Sequence, residues 1–140
     1  MKNGKILVGI THGDINGVGY EIILKLFSEP MMLELCTPII YGSPKVATYH
    51  RKAMELTTNF VTIQKGDEAV EGRLNLVDCL TDEVKIDFGQ PSAESGKAAL
   101  AALERAMADY REGLFDVLVT APINKATIQG DGFHFPGHTE

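Results

Sequence analysis

Residues 5–19 read KILVGITHGDINGVG, and this stretch predicts the class of the fold. Its first part, Lys5 to Thr11, is a nearly continuous apolar run, which is typical of a strand that is covered on both faces. A glycine-rich loop follows, and Tyr20 to Glu29 then carries apolar residues at helical spacing. We expect Pro30 to end this helix. A strand, a glycine loop and a helix in this order indicate the beginning of a βαβ unit.

The rest of the chain alternates between strands and helices in the same way. The pattern predicts strands at residues 37–41, 61–64, 74–77 and 115–120, and helices at residues 45–56 and 92–112. In the last helix, the predicted buried stripe consists of Ala99, Leu103, Ala106, Met107 and Tyr110. Residues 57–88 mix short β-branched runs with charge, which leaves an antiparallel excursion open. Alternating strands and helices favour right-handed crossovers and therefore a mainly parallel α/β sheet.

The composition of the chain argues against some classes of partner. The chain has 140 residues, 44% of them hydrophobic and 23% charged, as in an ordinary globular domain. Its net charge of -6 argues against a nucleic-acid partner, because phosphate-backbone binding needs a basic face. No segment approaches membrane-spanning length, and the first apolar run is too short for a signal peptide, so we expect a cytoplasmic protein without a membrane partner. Cys36 and Cys79 are expected to be buried free thiols in a reducing compartment.

Two polar loops follow predicted strands, one at residues 11–19 and one at residues 120–125. In parallel sheets the carboxyl ends of the strands meet at one edge, where ligands bind. We therefore expect the two loops to converge, although about a hundred residues separate them in the sequence.

The first loop ends in Gly17-Val18-Gly19 at the start of a helix, where backbone N–H groups favour anions. Its spacing matches neither the dinucleotide-binding GxGxxG pattern nor a P-loop. A tight turn that needs glycine for a positive φ is the equal alternative.

The second loop contains Asn124 and Lys125, which offer a hydrogen bond and a charge to a phosphate or carboxylate. The alternative is a solvent-facing lysine in the first turn of a helix. Because a cation is disfavoured at a helix N-terminus, the position favours a functional lysine.

Histidines are the remaining candidates for chemistry. His138 and Thr139 lie side by side, and an imidazole beside a hydroxyl can hold or deprotonate an alcohol, although such a pair is also common in ordinary loops. Pro136 separates His138 from His134, which weakens a metal-pair interpretation. His12 follows the first strand and can reach the site, whereas the polar helix around His50 predicts a surface position. No Ser-His-Asp or Cys-His triad is evident.

Taken together, the motifs resemble one family, the 4-hydroxythreonine-4-phosphate dehydrogenases. Residues 11–22, THGDINGVGYEI, resemble that family's opening Gly-Asp-Pro-Ala-Gly-Ile-Gly-Pro-Glu segment. Residues 119–125, VTAPINK, resemble its Thr-(Ala/Gly)-Pro-Ile-Asn-Lys stretch, and residues 135–140, FPGHTE, resemble its Gly-His-Thr-Glu motif. The order and spacing also match, as does the SAESG run at residues 92–96.

The resemblance implies an enzyme of pyridoxal 5′-phosphate (vitamin B6) biosynthesis. Such an enzyme oxidises 4-phosphonooxy-threonine with NAD or NADP to a 3-oxo acid, which then loses CO2. The implied fold is a mainly parallel three-layer α/β sheet like that of isocitrate and isopropylmalate dehydrogenases. Residues 1–140 would form the N-terminal part of a two-domain, homodimeric enzyme. A divalent metal (zinc, magnesium or cobalt) would be bound by three histidines outside this chain, so residues 1–140 alone are expected to be inactive.

The resemblance also assigns roles to individual residues. It places His138 and Thr139 on the small phosphorylated substrate, whereas Asn124 and Lys125 are expected there from their own chemistry. Further substrate-binding Lys, Asn and Arg residues of the family would lie outside this chain. Cofactor binding is expected at Asp14, Gly17 and Gly19.

The chain departs from the family pattern at the first loop. His12 replaces a proline before Gly13, Ile15-Asn16 replaces Pro-Ala, and Tyr20 replaces a proline before Glu21. These changes alter the stiffness of the loop near the cofactor side.

Other functions stay open. Related dehydrogenases act on threonate or erythronate phosphates, and the motifs do not separate these substrates. A non-redox enzyme on a similar scaffold, such as an acyl-phosphate transferase, and a non-catalytic ligand-binding domain are the further alternatives.

Overall fold

The computed structural model describes residues 5–13, 19–79 and 93–120. These residues form a five-stranded sheet in the order β3-β4-β2-β1-β5. The strands are β1 (Ile6–Thr11), β2 (Cys36–Gly42), β3 (Val61–Ile63), β4 (Asn75–Asp78) and β5 (Val117–Thr120). Every neighbouring pair is parallel, which confirms the predicted α/β class.

Four helices accompany the sheet in the described part of the chain: α1 (Gly19–Leu26), α2 (Pro30–Leu35), α3 (Pro44–Ala53) and α4 (Ala93–Arg111). One hydrophobic cluster joins α1, α3 and Ala98 of α4 to one face of the sheet, and a second joins Ala102 and Ala106 of α4 to the other face. The arrangement is therefore three-layered, with the sheet in the middle. None of the helices in the described ranges is long and apolar enough to cross a lipid bilayer.

Three local predictions need correction or restriction. Pro30 does not simply end the first helix: α1 ends at Leu26, and Pro30 begins the short helix α2. Proline suits this position because the first residue of a helix needs no N–H donor within the helix.

The predicted antiparallel excursion is wrong for the described residues, since β3 and β4 run parallel to each other and β4 runs parallel to β2. Residues 80–88 and Ser92, at which the last helix was predicted to begin, lie outside the described ranges.

The central strands are buried on both faces, as their continuous apolar sequence predicts. Ile40 of β2 and Leu76 of β4 belong to the cluster on the α1 side. Their neighbours Ile39 and Val77 belong to the cluster on the α4 side. This alternation follows from the two-residue period of a strand, and it requires both faces to be covered.

Helix α4 packs through small residues. Its buried face comprises Ala98, Ala99, Ala102, Leu103, Ala106 and Asp109. The predicted stripe is confirmed for its first three members, whereas Met107 is half-buried and Tyr110 is 47% exposed. The carboxylate of Asp109 accepts hydrogen bonds from the hydroxyl of Tyr41 (2.7 Å) and from the backbone N–H of Gly66 (3.1 Å). These two donors allow its burial, because polar groups inside a protein need hydrogen-bond partners.

Both cysteines are free, as predicted, but they are only partly buried. Burial raises the pKa of the Cys79 thiol to about 12 and also raises the pKa of the Cys36 thiol. Both thiols are therefore protonated at neutral pH.

Gly9, in the middle of β1, lies directly under the ring of Phe115. A Cβ atom at Gly9 would come within 2.6 Å of the Phe115 ring. That ring cannot move away easily, since it packs against Tyr41 and Tyr110 with centroid distances of 5.7 Å and 5.4 Å. Glycine is therefore required by space at this position.

We expect Gly9→Ala to lower the free energy of unfolding by about 2 kcal/mol, the usual cost of overpacking a core. Urea denaturation measures the loss. A Gly9→Ala/Phe115→Leu double variant should lose less than the sum of the two single variants, because the smaller side chain makes room for the methyl group. Strict additivity of the two losses would contradict this account of Gly9.

Candidate functional site

The carboxyl ends of all five described strands lie at one edge of the sheet, because the strands are parallel. At this edge Thr11, the last residue of β1, pairs with Thr120, the last residue of β5. The loops that begin after these two residues therefore start from neighbouring positions. This confirms the predicted convergence for the strand ends. Gly42, at the end of β2, lies on the other side of β1.

Gly19 is the one predicted site residue within the described ranges. It is buried at the start of α1, beside the end of β5. An apolar hollow between α1 and β5 is lined by Ile10, Gly19, Ile22, Ile23, Leu26, Phe27, Val119 and Thr120. The other predicted residues lie outside the described ranges and stay predictions: Asp14, Gly17, Asn124, Lys125, His138 and Thr139.

His12 directly follows β1 and is completely buried. Its Nε2 lies 2.9 Å from the carbonyl oxygen of Ala98, and its Nδ1 lies 2.7 Å from the hydroxyl oxygen of Tyr20. A carbonyl oxygen only accepts hydrogen bonds, so Nε2 carries the proton and donates. Nδ1 of the neutral ring then accepts a hydrogen bond from the hydroxyl group of Tyr20.

Tyr20, the second residue of α1, is only 1% exposed. Its hydroxyl oxygen accepts a hydrogen bond from the backbone N–H of Ser43 at 3.0 Å, at the N-terminus of α3. Its ring stacks on His50 of α3, with a centroid distance of 5.3 Å, and meets His12 edge-on at 5.4 Å. Through these contacts one tyrosine connects α1 to the ends of β1 and β2 and to α3.

Because Gly42 has no side chain, there is room beside it for the His12–Tyr20 pair. A Cβ atom at Gly42 would collide with the Tyr20 hydroxyl and would lie 2.8 Å from Nδ1 of His12. The backbone of β2 thus passes directly against the hydrogen-bonded pair. A glycine at the end of β2 is the condition for burying both side chains.

The buried environment keeps the pair neutral. Burial lowers the pKa of His12 to about 4, an effect that outweighs the hydrogen bond to Ala98. Burial also raises the pKa of Tyr20. Charged forms of both groups are disfavoured because the protein interior solvates them poorly. At neutral pH the pair therefore acts as a hydrogen-bonded connection and carries no charge.

Two sequence-based expectations about histidines are wrong. His12 does not reach towards a ligand, because both of its ring nitrogens are bound to other groups of the protein. His50 does not lie at the surface but is 1% exposed, because it shares the buried face of α3 with Val46 and Ala47. The spacing of these three positions is the signal in the sequence, and the polar residues around His50 conceal it.

No described part of the chain gathers three or more His, Cys, Asp or Glu side chains that would hold a metal ion. His12 does not extend such a set, since its nitrogens already make hydrogen bonds inside the protein. No metal ligand is therefore assigned within residues 5–13, 19–79 or 93–120.

The burial of neutral His12 predicts a specific acid sensitivity. Between about pH 6.5 and pH 4, an unfolded chain binds a proton at His12 that the folded chain does not bind. The free energy of unfolding should therefore fall as the pH falls through this window, by about 3 kcal/mol in total. Urea denaturation at several pH values measures this slope. The variant His12→Gln, which keeps a donor for Ala98 but does not titrate, should have a flatter slope, and equal slopes would contradict the prediction.

Comparisons with known proteins agree with this geometry. The family described as pyridoxal phosphate biosynthetic protein PdxA matches residues 34–140. A 4-hydroxythreonine-4-phosphate dehydrogenase of Bacteroides thetaiotaomicron is 65% identical over 140 residues, covering 100% of this chain and 38% of that protein. A protein of Clostridium botulinum, provisionally named D-threonate 4-phosphate dehydrogenase, is 34% identical over 145 residues, covering 100% of this chain and 43% of its own length.

Solved structures show the same relationship. The crystal structure of a 4-hydroxythreonine-4-phosphate dehydrogenase from Burkholderia phymatum superposes with a TM-score of 0.88 at 31% identity. That match covers 99% of this chain and 42% of the other. The chain thus spans between 38% and 43% of the length of these relatives. With the family match over most of its residues and the same arrangement of strands and helices, the chain belongs to the PdxA family of pyridoxal phosphate biosynthetic proteins.

Proposed function

We propose that the complete protein is a NAD(P)-dependent 4-hydroxythreonine-4-phosphate dehydrogenase, of which residues 1–140 form the N-terminal part. The observation that carries this proposal is the 65% identity over all 140 residues to the Bacteroides thetaiotaomicron enzyme of that name. The parallel sheet supports it, because its carboxyl edge brings the starts of the two polar loops together.

The reaction oxidises the secondary alcohol of 4-phosphonooxy-threonine. NAD or NADP would serve as the acceptor of a hydride from the alcohol carbon, and the hydroxyl proton would be released. The resulting 3-oxo acid would then lose CO2. For this chemistry the protein must hold the alcohol carbon against the nicotinamide and must bind the phosphate and carboxylate at fixed positions.

Four residues after β5 are proposed to hold the substrate. Lys125 would supply a charge to the phosphate or carboxylate, and Asn124 would supply a hydrogen bond. His138 and Thr139 would bind the substrate close to its reacting alcohol. Their support is the resemblance of the motifs and the position of Thr120, beside the end of the central strand β1.

The cofactor is proposed to bind at the glycine loop, through Asp14, Gly17 and Gly19. The residues at the two ends of this loop fit such a role. Gly13 has a φ of 68°, which is a glycine conformation that turns the chain sharply after β1. Gly19 begins α1, and the first N–H groups of a helix point towards an anionic group such as a pyrophosphate.

The metal, the dimer and the compartment complete the proposal. A divalent zinc, magnesium or cobalt ion would polarise the substrate hydroxyl, held by histidines beyond residue 140. We infer a homodimer, from the family resemblance alone. A cytoplasmic location is supported by the two free thiols.

A second candidate is the oxidation of threonate 4-phosphate or erythronate 4-phosphate. It is favoured by the 34% identity to the Clostridium botulinum protein provisionally named for threonate 4-phosphate. The two candidates differ at the substrate carbon next to the carboxylate, which bears an amine in one case and a hydroxyl in the other. An assay of the complete protein distinguishes them directly.

We expect the purified full-length protein, supplied with a divalent metal, to reduce NAD or NADP with 4-phosphonooxy-threonine. Its kcat/KM for threonate 4-phosphate and erythronate 4-phosphate should be lower by about a hundredfold or more, because a site built to pair with an amine leaves polar groups unpaired on the other acids. NAD(P)H absorbance measures the rates, and residues 1–140 alone serve as the inactive control. A preference for threonate 4-phosphate would establish the second candidate, and no reduction with any of the three acids would refute the dehydrogenase.

The role of Lys125 is testable in the same assay. Lys125→Ala should raise the KM for the phosphorylated substrate by about tenfold to a hundredfold, since it removes a charged hydrogen-bond donor. The matched control is Lys97→Ala, because Lys97 is exposed on α4. This control should leave KM unchanged. Equal KM values for the two variants would show that Lys125 does not bind the substrate.

A further inference from the structure

We propose that the hydrogen-bonded pair His12–Tyr20 is a positioning device that fixes the two ends of the glycine loop, residues 13–19, and thereby sets the affinity of that loop for the nicotinamide cofactor. The inference rests on the proposed function, because it takes the loop as the cofactor site. Neither residue is proposed to touch the cofactor or the substrate.

The two residues of the pair flank the glycine loop in the sequence. His12 immediately precedes the loop and Tyr20 immediately follows it, so the two residues are eight apart in sequence. Their side chains are nevertheless joined by a hydrogen bond of 2.7 Å between Nδ1 and the hydroxyl oxygen. This bond closes the loop at its base. Closing a short loop in advance removes conformational freedom that a ligand would otherwise have to restrict.

The pair is also anchored to the rigid part of the fold. Through Nε2, His12 donates to the carbonyl oxygen of Ala98 in α4, and its backbone N–H donates to the carbonyl oxygen of Tyr41 in β2 at 3.1 Å. The hydroxyl oxygen of Tyr20 accepts a hydrogen bond from the backbone N–H of Ser43. The ends of the loop are thus tied to β2 and to helices on both sides of the sheet.

The bond also makes the two residues interdependent. With Tyr20 alone replaced by an apolar residue, Nδ1 of His12 would lose its donor in a site that is completely buried. An unpaired buried polar atom is costly, and the backbone at either end of the loop would shift to relieve it. The effect should therefore reach the loop even though the residues themselves face the core.

The expected signature is a change in cofactor affinity with little change in the chemical step. A positioning residue that organises a binding loop lowers the entropy lost on binding, and its removal raises Kd and KM for that ligand. The KM for the phosphorylated substrate should be much less affected. If the pair had a purely structural role, its loss would weaken the binding of both cofactor and substrate, or of neither.

The test compares two tyrosines in the full-length protein. Tyr20→Phe removes the hydroxyl and keeps the ring that stacks on His50. Tyr41→Phe is the matched control, because Tyr41 is equally buried and its hydroxyl also makes a 2.7 Å bond, but to Asp109 on the other face of the sheet. Fluorescence titration with NAD and NADP should give a Kd raised about fivefold to tenfold for Tyr20→Phe, and less than about twofold for Tyr41→Phe.

Two substitutions of His12 separate its two hydrogen bonds. The amide of His12→Gln reaches the position of Nε2 and keeps the bond to Ala98, but it loses the acceptor for Tyr20. The amide of His12→Asn reaches the position of Nδ1 and keeps an acceptor for Tyr20. If the bond to Tyr20 positions the loop, His12→Asn should retain most of the cofactor affinity and His12→Gln should lose about as much as Tyr20→Phe.

Each outcome has a definite meaning. Weaker cofactor binding in Tyr20→Phe and His12→Gln, with near-normal binding in Tyr41→Phe and His12→Asn, supports the inference. If the unchanged protein binds cofactor and turns over substrate, but Tyr20→Phe behaves like Tyr41→Phe, the inference is overturned while the proposed function stands. If the unchanged protein does not bind NAD or NADP at all, the proposed function fails and the inference fails with it. Should Tyr20→Phe not fold, the two His12 variants decide the question in the same way.

Discussion

The parallel pairing of β1 with β2 on one side and β5 on the other is the constraint on which the rest of the described structure depends. It places Thr11 beside Thr120, and it puts the end of β2 next to the start of the glycine loop. Because β1 is central and both faces of the sheet are covered, its backbone must lie close to its neighbours. Gly9 accommodates Phe115 in this setting, and the helices on the two faces follow from the same burial requirement.

Buried polar groups in the described part of the chain act as connectors between elements. Asp109 ties α4 to β2 and to the turn at Gly66, while the side chain of Asn75 makes hydrogen bonds to Pro38, Val70 and Arg73. The His12–Tyr20 pair does the same at the carboxyl edge of the sheet. A buried polar network that is fully hydrogen-bonded adds specificity to a core, because shifted arrangements would leave its members unpaired. At the carboxyl edge, the pair ties the end of β1 to α4 and to the starts of α1 and α3.

The described residues mainly support the proposed binding site and are mostly not the residues proposed to contact its ligands. The described residues supply the sheet edge, the ends of both loops and the beginning of α1. Apart from Gly19, the residues proposed to contact substrate and cofactor lie outside the described ranges, at positions predicted from the sequence. The chain spans at most 43% of the length of the Bacteroides, Clostridium and Burkholderia relatives, so the proposed dehydrogenase activity belongs to the complete protein. The described residues of this chain form the scaffold from which the two loops start.

The α/β class, the main strands and helices and the family could all be predicted from the amino-acid sequence, because they depend on local periodicity and on motifs that are continuous in the chain. The neighbouring positions of the two strand ends from which the loops start could also be predicted, since parallel strands end at one edge of the sheet. Three-dimensional packing was needed to show that Pro30 begins a helix, that His50 is buried and that His12 bonds to Tyr20 and Ala98. For the two histidines the physical reason is packing between separate elements. His12 and Ala98 are 86 residues apart, and their contact exists only because α4 packs against β1. His50 of α3 stacks on Tyr20 of α1.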